Sequence, residues 1–289
     1  MNILDDLKMQ YKIGGIAQKL IFWNVGIAIP FFLLKSFAPD LFSVLLDWTS
    51  LSSNVIKMIT RPWTLLTYAF LHAEFFHLLF NMIVLNFASR LFTTYFTQKQ
   101  LFGVYLLGAI FAGLLFVATD FIFQNNTLLV GASGAIMAVL VAAATYTPFS
   151  EVRLLLIGNV KMWHIALALV LLDLIQIPLN NTGGHIAHLG GAFFGFLYIK
   201  MLQGGTDMSK GVSAFLDFFA GLFRPKKSAP FKTVHRNTKQ QQQQQTTTSS
   251  PSGKDMTQKQ IDDILDKISK SGYDSLTKEE KEFLFKVGK

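Results

Sequence analysis

The sequence contains no cysteine and has few charged residues for its length. The absence of cysteine excludes disulfide bridges, a cysteine nucleophile and thiolate metal sites. Charged residues make up 15% of the chain, whereas about 25% is usual in a soluble domain. Hydrophobic residues make up 51% and lie in blocks between Leu20 and Leu202, and the chain turns polar after Arg224. This division predicts a membrane domain followed by a soluble tail.

Six apolar segments are candidates for membrane helices, which need roughly 20 residues. The predicted spans are 20–37, 75–96, 101–123, 133–148, 162–178 and 186–203. The expected fold class is therefore an all-α membrane protein with six transmembrane helices. The fourth segment would rise only about 24 Å, so Ser133 at its start is expected below the membrane surface. The residues before it, 125–132, are interpreted as a loop that dips into the protein.

Basic residues predict the orientation of the spans. They precede span one, lie between spans two and three and between spans four and five, and follow span six, whereas the loops after spans three and five have none. The first outer loop, 38–74, is the exception, because it holds Lys57 and Arg61. Both termini are therefore expected in the cytoplasm. The first span is interpreted as uncleaved, because it ends in Lys35 and Pro39 without a small-residue cleavage pattern. The net charge of +8 does not indicate nucleic-acid binding, because many basic residues lie beside apolar blocks or in the tail.

Polar side chains are costly inside a bilayer, so those within the spans are candidates for function. His77 and Asn81 in span two are spaced i, i+4 and share one helix face. Both side chains can donate hydrogen bonds. A polar pair that joins two helices is the alternative interpretation. Asp173 in span five and Asn24 in span one have no predicted role, and Asp173 is expected to be protonated and hydrogen-bonded between helices.

Ser133 lies between Gly131 and Gly134 at the start of span four. A serine that opens a helix has free backbone N–H groups beside its hydroxyl, and these groups favour a developing negative charge. The pattern therefore fits a nucleophile. A packing stripe formed by Gly134, Ala138 and Ala142 is the alternative, and the serine motif alone does not decide between them.

His188, Gly191 and Gly195 lie on one face of span six. The G-x-x-x-G pair allows another helix backbone to approach closely, so His188 can reach a partner helix. A structural histidine bonded to a carbonyl is the alternative. A metal site is not predicted, because no two histidines form an i, i+4 pair and no nearby carboxylate completes a set. If the serine and histidine helices pack together, Ser133 and His188 come within hydrogen-bond reach, as an activated serine requires.

Four motifs together carry a family resemblance. They are Arg61–His72 (RPWTLLTYAFLH), His77–Asn81 (HLLFN), Gly131–Gly134 (GASG) and Ala187–Gly191 (AHLGG), the last followed by Gly195. Over about residues 15–205 the chain resembles the rhomboid proteases in their bacterial six-span form. The resemblance implies an intramembrane serine endopeptidase of the cell inner membrane, without cofactor or metal, whose partners are transmembrane protein substrates and the lipid bilayer.

The resemblance also implies roles for individual residues. Ser133 is the expected nucleophile, and His188, rather than His185, is the expected general base, in a dyad without a third acid. His77, Asn81 and the N–H of Ser133 are the expected oxyanion hole. Many members of the family have an aromatic residue four positions after the serine, where this chain has Met137, so weaker orientation of His188 is expected. The polar loop 180–184 is a candidate substrate gate.

Two other functions compete with proteolysis. One is a catalytically inactive rhomboid-like protein that binds and escorts membrane clients, although such relatives usually lack the serine or the histidine. The other is a transporter that uses Asp173 for coupling, but the two halves of the chain show none of the inverted repeats that this would need.

The domain organisation follows from composition. We predict a cytoplasmic segment 1–19, a six-helix protease domain 20–205, a juxtamembrane segment 206–231, a disordered Gln/Thr/Ser linker 232–255 and a helical module 256–289. Thr257 with Gln260 and Thr277 with Glu280 fit capping boxes at the starts of two short helices. The partner of this module is unknown, and it is either a binding or regulatory domain or a solvated appendage.

Overall fold

A computed structural model describes residues 2–123, 126–154, 157–223 and 253–287. The chain divides into two compact units, residues 1–226 and 227–289. The first unit contains the predicted membrane domain, and the second contains the predicted C-terminal module. Each unit is described by itself.

The described part of the first unit is mainly helical, as the composition predicts. Its helices are α1 (Ile3–Ile13), α2 (Ile16–Phe37), α3 (Pro39–Thr49), α4 (Val55–Thr60), α5 (Thr64–Thr67), α6 (Phe75–Thr93), α7 (Gln98–Phe123), α8 (Ser133–Tyr146), α9 (Met162–Gln176), α10 (Thr182–Gln203) and α11 (Ser209–Phe223), with a 3₁₀ turn at Tyr68–Phe70. Its strands are β1 (Leu51–Ser52), β2 (Leu128–Leu129), β3 (Glu151–Leu154) and β4 (Gly158–Lys161).

Each of the six predicted spans lies mostly within one helix, in order α2, α6, α7, α8, α9 and α10. By length and composition, three helices in the described part of the chain can cross a membrane: Ile16–Phe37, Phe75–Thr93 and Gln98–Thr119. α8 and α9 are apolar but shorter. α8 begins at Ser133, as predicted, whereas α10 begins at Thr182 rather than at residue 186.

The outer faces of α6 and α9 expose large apolar side chains. A soluble protein rarely exposes such contiguous apolar surface, because contact with water is unfavourable. Lipid chains would suit these faces, since the hydrocarbon core of a bilayer is as apolar as the side chains themselves. The exposed side chains are Phe75, Phe76, Phe80, Ile83, Leu171, Leu172 and Ile175.

Small residues bring α7, α8 and α10 into direct backbone contact. A Cβ atom built on Gly191 would overlap the carbonyl oxygen of Gly134, and one built on Gly195 would overlap that of Ala138. On the other side of α8, a Cβ atom on Gly134 would lie 2.7 Å from that of Ala112. The predicted close-packing faces of α8 and α10 therefore face each other, and α8 lies at the centre of the bundle.

Asn24, which had no predicted role, joins α2 to α7. Its side chain is fully buried, and Nδ2 donates to the carbonyl of Leu20 at 2.8 Å and to the hydroxyl of Tyr105 at 3.3 Å. A buried amide is costly unless it is hydrogen-bonded. These two bonds satisfy Nδ2, whereas Oδ1 has no hydrogen-bond partner among the described residues. They therefore offset only part of the cost of burying this amide.

Two short antiparallel ladders, which the sequence pattern does not predict, interrupt the helical fold. β1 pairs with β2, with Leu51 opposite Leu129, and β3 pairs with β4 between α8 and α9. The first ladder joins the segment between α2 and α6 to the chain just before Ser133. Gly131 N–H adds a bond of 3.0 Å to the carbonyl of Tyr68. Together these bonds hold the loop that enters α8.

Arg61 organises the segment between α2 and α6. Its guanidinium donates to the backbone carbonyl and the carboxylate of Asp47, both at 2.6 Å, and lies 4.2 Å from the ring centre of Trp48. The ring of Trp48 stacks on Trp63 at an interplanar angle of 4°. The hydrogen bond from Arg61, followed by that from Lys57, lowers the pKa of Asp47 below its usual 3.8.

The second unit contains α12 (Gly253–Ser271), a 3₁₀ turn at Tyr273–Ser275 and α13 (Lys278–Val287). The capping box before α13 is confirmed: Glu280 N–H donates to Thr277 Oγ1 at 3.3 Å, and Thr277 N–H donates to Glu280 Oε2 at 2.8 Å. The predicted cap at Thr257 is wrong, because α12 already begins at Gly253. Residues 232–252 of the predicted linker lie outside the described residues, whereas residues 253–255 belong to α12. Of the predicted juxtamembrane segment, residues 209–223 form α11, and 224–231 lie outside the described residues.

Candidate active site

Ser133 is the first residue of α8, so its backbone N–H has no partner within the helix. Two residues earlier, Gly131 has φ +129°, a backbone conformation that side chains rarely permit. A Cβ atom at Gly131 would lie 2.9 Å from the Nε2 of His77 and 3.6 Å from the Oγ of Ser133. Glycine is therefore required there, and His77 and Ser133 border the same small space.

The structure brings Ser133 and His188 together across the contact between α8 and α10. The Oγ of Ser133 lies 2.6 Å from the Nε2 of His188. Both side chains are only partly buried. This is the distance at which a histidine can accept the proton of a serine hydroxyl.

Asp173 of α9 completes this arrangement from the other side of the imidazole ring. Its Oδ1 lies 2.9 Å from the Nδ1 of His188 and 2.8 Å from the Nδ1 of His185. Only 7% of Asp173 is exposed. The expected hydrogen bonding of Asp173 between helices is therefore present, but two ring nitrogens on one oxygen favour an ionised carboxylate as the acceptor over the expected protonated form. The expectation that no nearby carboxylate completes a set with the histidines is wrong, because the turn between α9 and α10 folds Asp173 back onto them.

The same three residues satisfy one geometric requirement for a metal site, since Asp173, His185 and His188 offer ligand atoms that all lie within 4.8 Å of one another. The reason for discounting a metal from the sequence therefore does not hold. The distances from Oδ1 to the two Nδ1 atoms are nevertheless those of hydrogen bonds. The donors and the acceptor satisfy one another, and the remaining ring nitrogen of His188 faces Ser133.

The two side chains expected in the oxyanion hole lie on α6. The ring of His77 is beside Gly131, and its edge contacts the ring of His72 at a centroid distance of 5.2 Å. The Nδ2 of Asn81 donates to the carbonyl of His77 at 2.7 Å. An amide nitrogen carries two hydrogens, so this bond uses one of them. The sequence does not reveal this backbone bond, which limits how Asn81 can turn.

A cavity of about 310 Å³ opens in front of Ser133. Its walls are mainly apolar, and its polar groups come together at the serine. α6, α8, α9 and α10 all contribute to it. Its lining residues are Phe80, Asn81, Val84, Ser133, Ile136, Met137, Leu169, Leu172, Asp173, Gln176, His185 and His188.

The structure also defines the surroundings of Met137, Gly183 and Gly184. Met137 is buried and lines the cavity together with His188. Gly183 and Gly184 belong to the first turn of α10 rather than to a loop. A Cβ atom on Gly183 would lie 2.6 Å from the ring of Phe116. Substitution of these glycines therefore tests helix packing as much as a gate.

Comparisons with known proteins give two matches to family models. Residues 60–204 match the Rhomboid domain, which includes α6 to α10 and the four motifs. Residues 252–287 match a family of unknown function, and these residues correspond to the C-terminal unit.

Individual relatives agree with the first match. The chain is 31% identical over 147 residues to the zebrafish (Danio rerio) presenilin-associated rhomboid-like protein A, mitochondrial, a match that takes in 48% of this chain and 37% of that protein. It is 29% identical over 151 residues to the Rattus norvegicus presenilin-associated rhomboid-like protein, mitochondrial, with 51% and 40% covered. It is 29% identical over 160 residues to rhomboid-type serine protease B of Aspergillus fumigatus, with 54% and 58% covered. The chain therefore spans well under half the length of the first two relatives.

Proposed function

The chain belongs to the rhomboid family, and on that basis we propose that it is an intramembrane serine endopeptidase that cleaves transmembrane segments of other membrane proteins. The observation that carries the proposal is the distance of 2.6 Å between Ser133 Oγ and His188 Nε2. A serine and a histidine in contact at the end of an apolar cavity form an activated nucleophile. Polar side chains inside a membrane are costly, and those that are present usually have a function.

The reaction follows from this geometry. His188 Nε2 accepts the proton of Ser133 as the serine oxygen attacks the carbonyl carbon of the scissile peptide bond. The protonated His188 then gives this proton to the leaving amine, the C–N bond breaks, and an acyl-enzyme remains on Ser133. A water molecule activated by the same histidine hydrolyses the ester and restores the serine.

The negative charge of the tetrahedral intermediate needs donors on the opposite side of the carbonyl. The N–H of Ser133 is free within its helix, and His77 borders the same space through the approach of Gly131. Asn81 lines the cavity one turn further along α6. We assign these three groups to the oxyanion hole, where a single donor contributes about 10²–10³ in rate.

The substrate is proposed to be an unwound stretch of a transmembrane helix. The cavity has apolar walls for its side chains, while the polar groups at Ser133 take the scissile bond. The exposed apolar faces of α6 and α9, which both border the cavity, support a position in lipid beside such substrates. We further propose that it resides in the inner membrane of the cell with both termini in the cytoplasm, as the distribution of basic residues indicates.

The test is cleavage of a model transmembrane substrate by the purified protein in lipid. Wild type is compared with Ser133→Ala and His188→Ala, and with Ser43→Ala and His164→Ala as controls at exposed positions. Cleavage is expected to be lost in the first two and kept in the controls. Cleavage that survives both Ser133→Ala and His188→Ala would overturn the dyad.

A second measurement separates an inactive escort from an enzyme given the wrong substrate. A fluorophosphonate probe reacts with an activated serine without any protein substrate. Labelling of Ser133 that requires His188 supports the protease. A wild-type protein that neither cleaves nor is labelled would support the escort function instead.

A further inference from the structure

We propose that Asp173 is a positioning residue for His188, so that Ser133, His188 and Asp173 act as a triad rather than as a dyad. This inference rests on the proposed function and deepens it. Asp173 Oδ1 lies 2.9 Å from the Nδ1 of His188, whose Nε2 lies 2.6 Å from Ser133. The three residues come from three different helices, α9, α10 and α8.

A carboxylate at Nδ1 selects the tautomer of His188. A neutral imidazole has one N–H and one acceptor nitrogen, and the partner of one nitrogen decides which is which. A carboxylate facing Nδ1 holds the proton there. Nε2 is then left as the acceptor that faces the serine hydroxyl, which is the form that a general base needs.

His188 becomes a positively charged imidazolium when it takes the serine proton. In a largely apolar bundle this positive charge is costly unless a negative charge lies close to it. Only 7% of Asp173 is exposed, and its carboxylate contacts the ring of His188 directly. The carboxylate therefore stabilises the charged state of His188 during the reaction.

A second histidine holds Asp173 itself in place. His185 donates from its Nδ1 to the same Oδ1 at 2.8 Å, and its side chain is 10% exposed. A carboxylate with two donors on one oxygen has little freedom to turn. His185 lies one helical turn before His188 on α10. It therefore holds Asp173 in place, and Asp173 in turn orients His188.

Within the part of the chain that the structure describes, Asp173 is the hydrogen-bond partner of His188 Nδ1, and no other residue that lines the cavity takes this place. Met137, which borders the same cavity, has neither a ring to stack on the imidazole nor a charge. In a soluble triad the corresponding carboxylate contributes about 10⁴ in kcat. We expect the loss of Asp173 to reduce kcat by about 10²–10⁴, with little change in KM because Asp173 acts through His188.

The experiment compares Asp173→Asn and Asp173→Glu in the full-length protein in lipid, with kcat, KM and the rate of fluorophosphonate labelling measured for each. Asp207→Asn is the matched control. Asp207 also accepts several hydrogen bonds, from Tyr198, Ser209 and Gln100, but it lies at the other end of α10. Asp173→Asn is expected to lower kcat and the labelling rate together, Asp173→Glu to restore part of both, and Asp207→Asn to leave both within about threefold.

Several outcomes would overturn the inference. A full kcat in Asp173→Asn, with Ser133→Ala still inactive, would leave the proposed function standing and remove Asp173 from it. A kcat equally low in the Asn and Glu variants would indicate packing rather than charge. Loss of activity in EDTA with recovery on adding Zn²⁺ would mean that the cluster holds a metal instead. Measurements are made on the monodisperse fraction, so that misfolded protein does not enter the comparison.

Discussion

Gly191 of α10 lies directly against the backbone carbonyl of Gly134 in α8. A Cβ atom at Gly191 would overlap that carbonyl oxygen. Both glycines are close to the catalytic candidates along the chain. Gly134 directly follows Ser133, and Gly191 lies one helical turn after His188. The distance between serine and histidine is therefore set by this contact.

We predict that Gly191→Ala reduces cleavage at least tenfold, because the new methyl group forces α10 away from α8. A displacement of about 1 Å can reduce a rate by 10². The overpacking is expected to cost about 1–3 kcal/mol of stability. The measurement is kcat/KM on a transmembrane substrate, together with the midpoint of thermal unfolding.

Gly26→Ala is the matched control for this change. It makes the same substitution inside a predicted span, but nothing lies within 4 Å of the added Cβ. It is expected to keep full activity. Wild-type activity in Gly191→Ala would contradict the view that this contact sets the geometry of the pair.

We also predict that an aromatic residue at position 137 partly compensates for the loss of Asp173. Met137 borders the cavity beside His188, and the cavity of about 310 Å³ has room for a larger side chain. A phenylalanine there can stack on the imidazole, an interaction of about 0.5–1.5 kcal/mol. Met137→Phe should therefore raise kcat about 2- to 10-fold in the Asp173→Asn background.

Val84→Phe is the control, because it adds a ring to the α6 wall of the same cavity. A double-mutant cycle over Met137 and Asp173 measures the coupling. If both aromatic substitutions have the same effect, the gain comes from filling the cavity and not from orienting His188.

The sequence predicts the helices and the serine–histidine helix contact well, because both depend on local patterns. Apolar length marks the spans, and the spacing of Gly191 and Gly195 identifies the face of α10 that meets another backbone. These features can be counted along the chain. The structure agrees with these patterns, for example in the start of α8 at Ser133.

The role of Asp173 could not be predicted in this way. An aspartate in an apolar helix is recognisable as a functional candidate, but the sequence does not tell which face of α9 meets α10. The pairing of Leu51 with Leu129 is equally hidden, because strands of two residues have no periodicity. Both features depend on how separate elements are placed in three dimensions.

We predict that Arg61→Lys lowers the stability of the segment between α2 and α6, although the charge is kept. Arg61 donates to two oxygens of Asp47 and covers Trp48 with its planar guanidinium. Lysine cannot reproduce both contacts. A decrease of about 1–2 kcal/mol is expected, read as a lower thermal midpoint and faster proteolysis between residues 38 and 74.

Lys57→Met is the comparison for this prediction. Lys57 also pairs with Asp47, at 2.9 Å, but its side chain is 51% exposed. An exposed pair contributes less than about 1 kcal/mol. Equal losses in the two variants would show that charge alone, and not the geometry of the guanidinium, stabilises this segment.

The final prediction concerns His72, whose burial makes the fold sensitive to acid. His72 lies in the turn before α6, with 6% of its surface exposed. Burial, followed by the repulsion of the neighbouring His77 ring, lowers the pKa of His72 from 6.5 to about 4. Between about pH 4 and pH 6.5, His72 therefore binds a proton in the unfolded chain but not in the folded protein.

The sign of the effect follows directly. The stability that depends on neutral His72 is complete above about pH 6.5, and it is lost as the pH falls towards 4, by about 1.4 kcal/mol per pH unit. Asp47 does not contribute in this window, because its pKa lies below 3.8 and its stabilisation is lost only at lower pH.

His72→Phe keeps an aromatic ring but has no group that titrates. Unfolding measured from pH 4.5 to 8 should show a shallower pH dependence in His72→Phe than in wild type, and identical slopes would contradict the prediction.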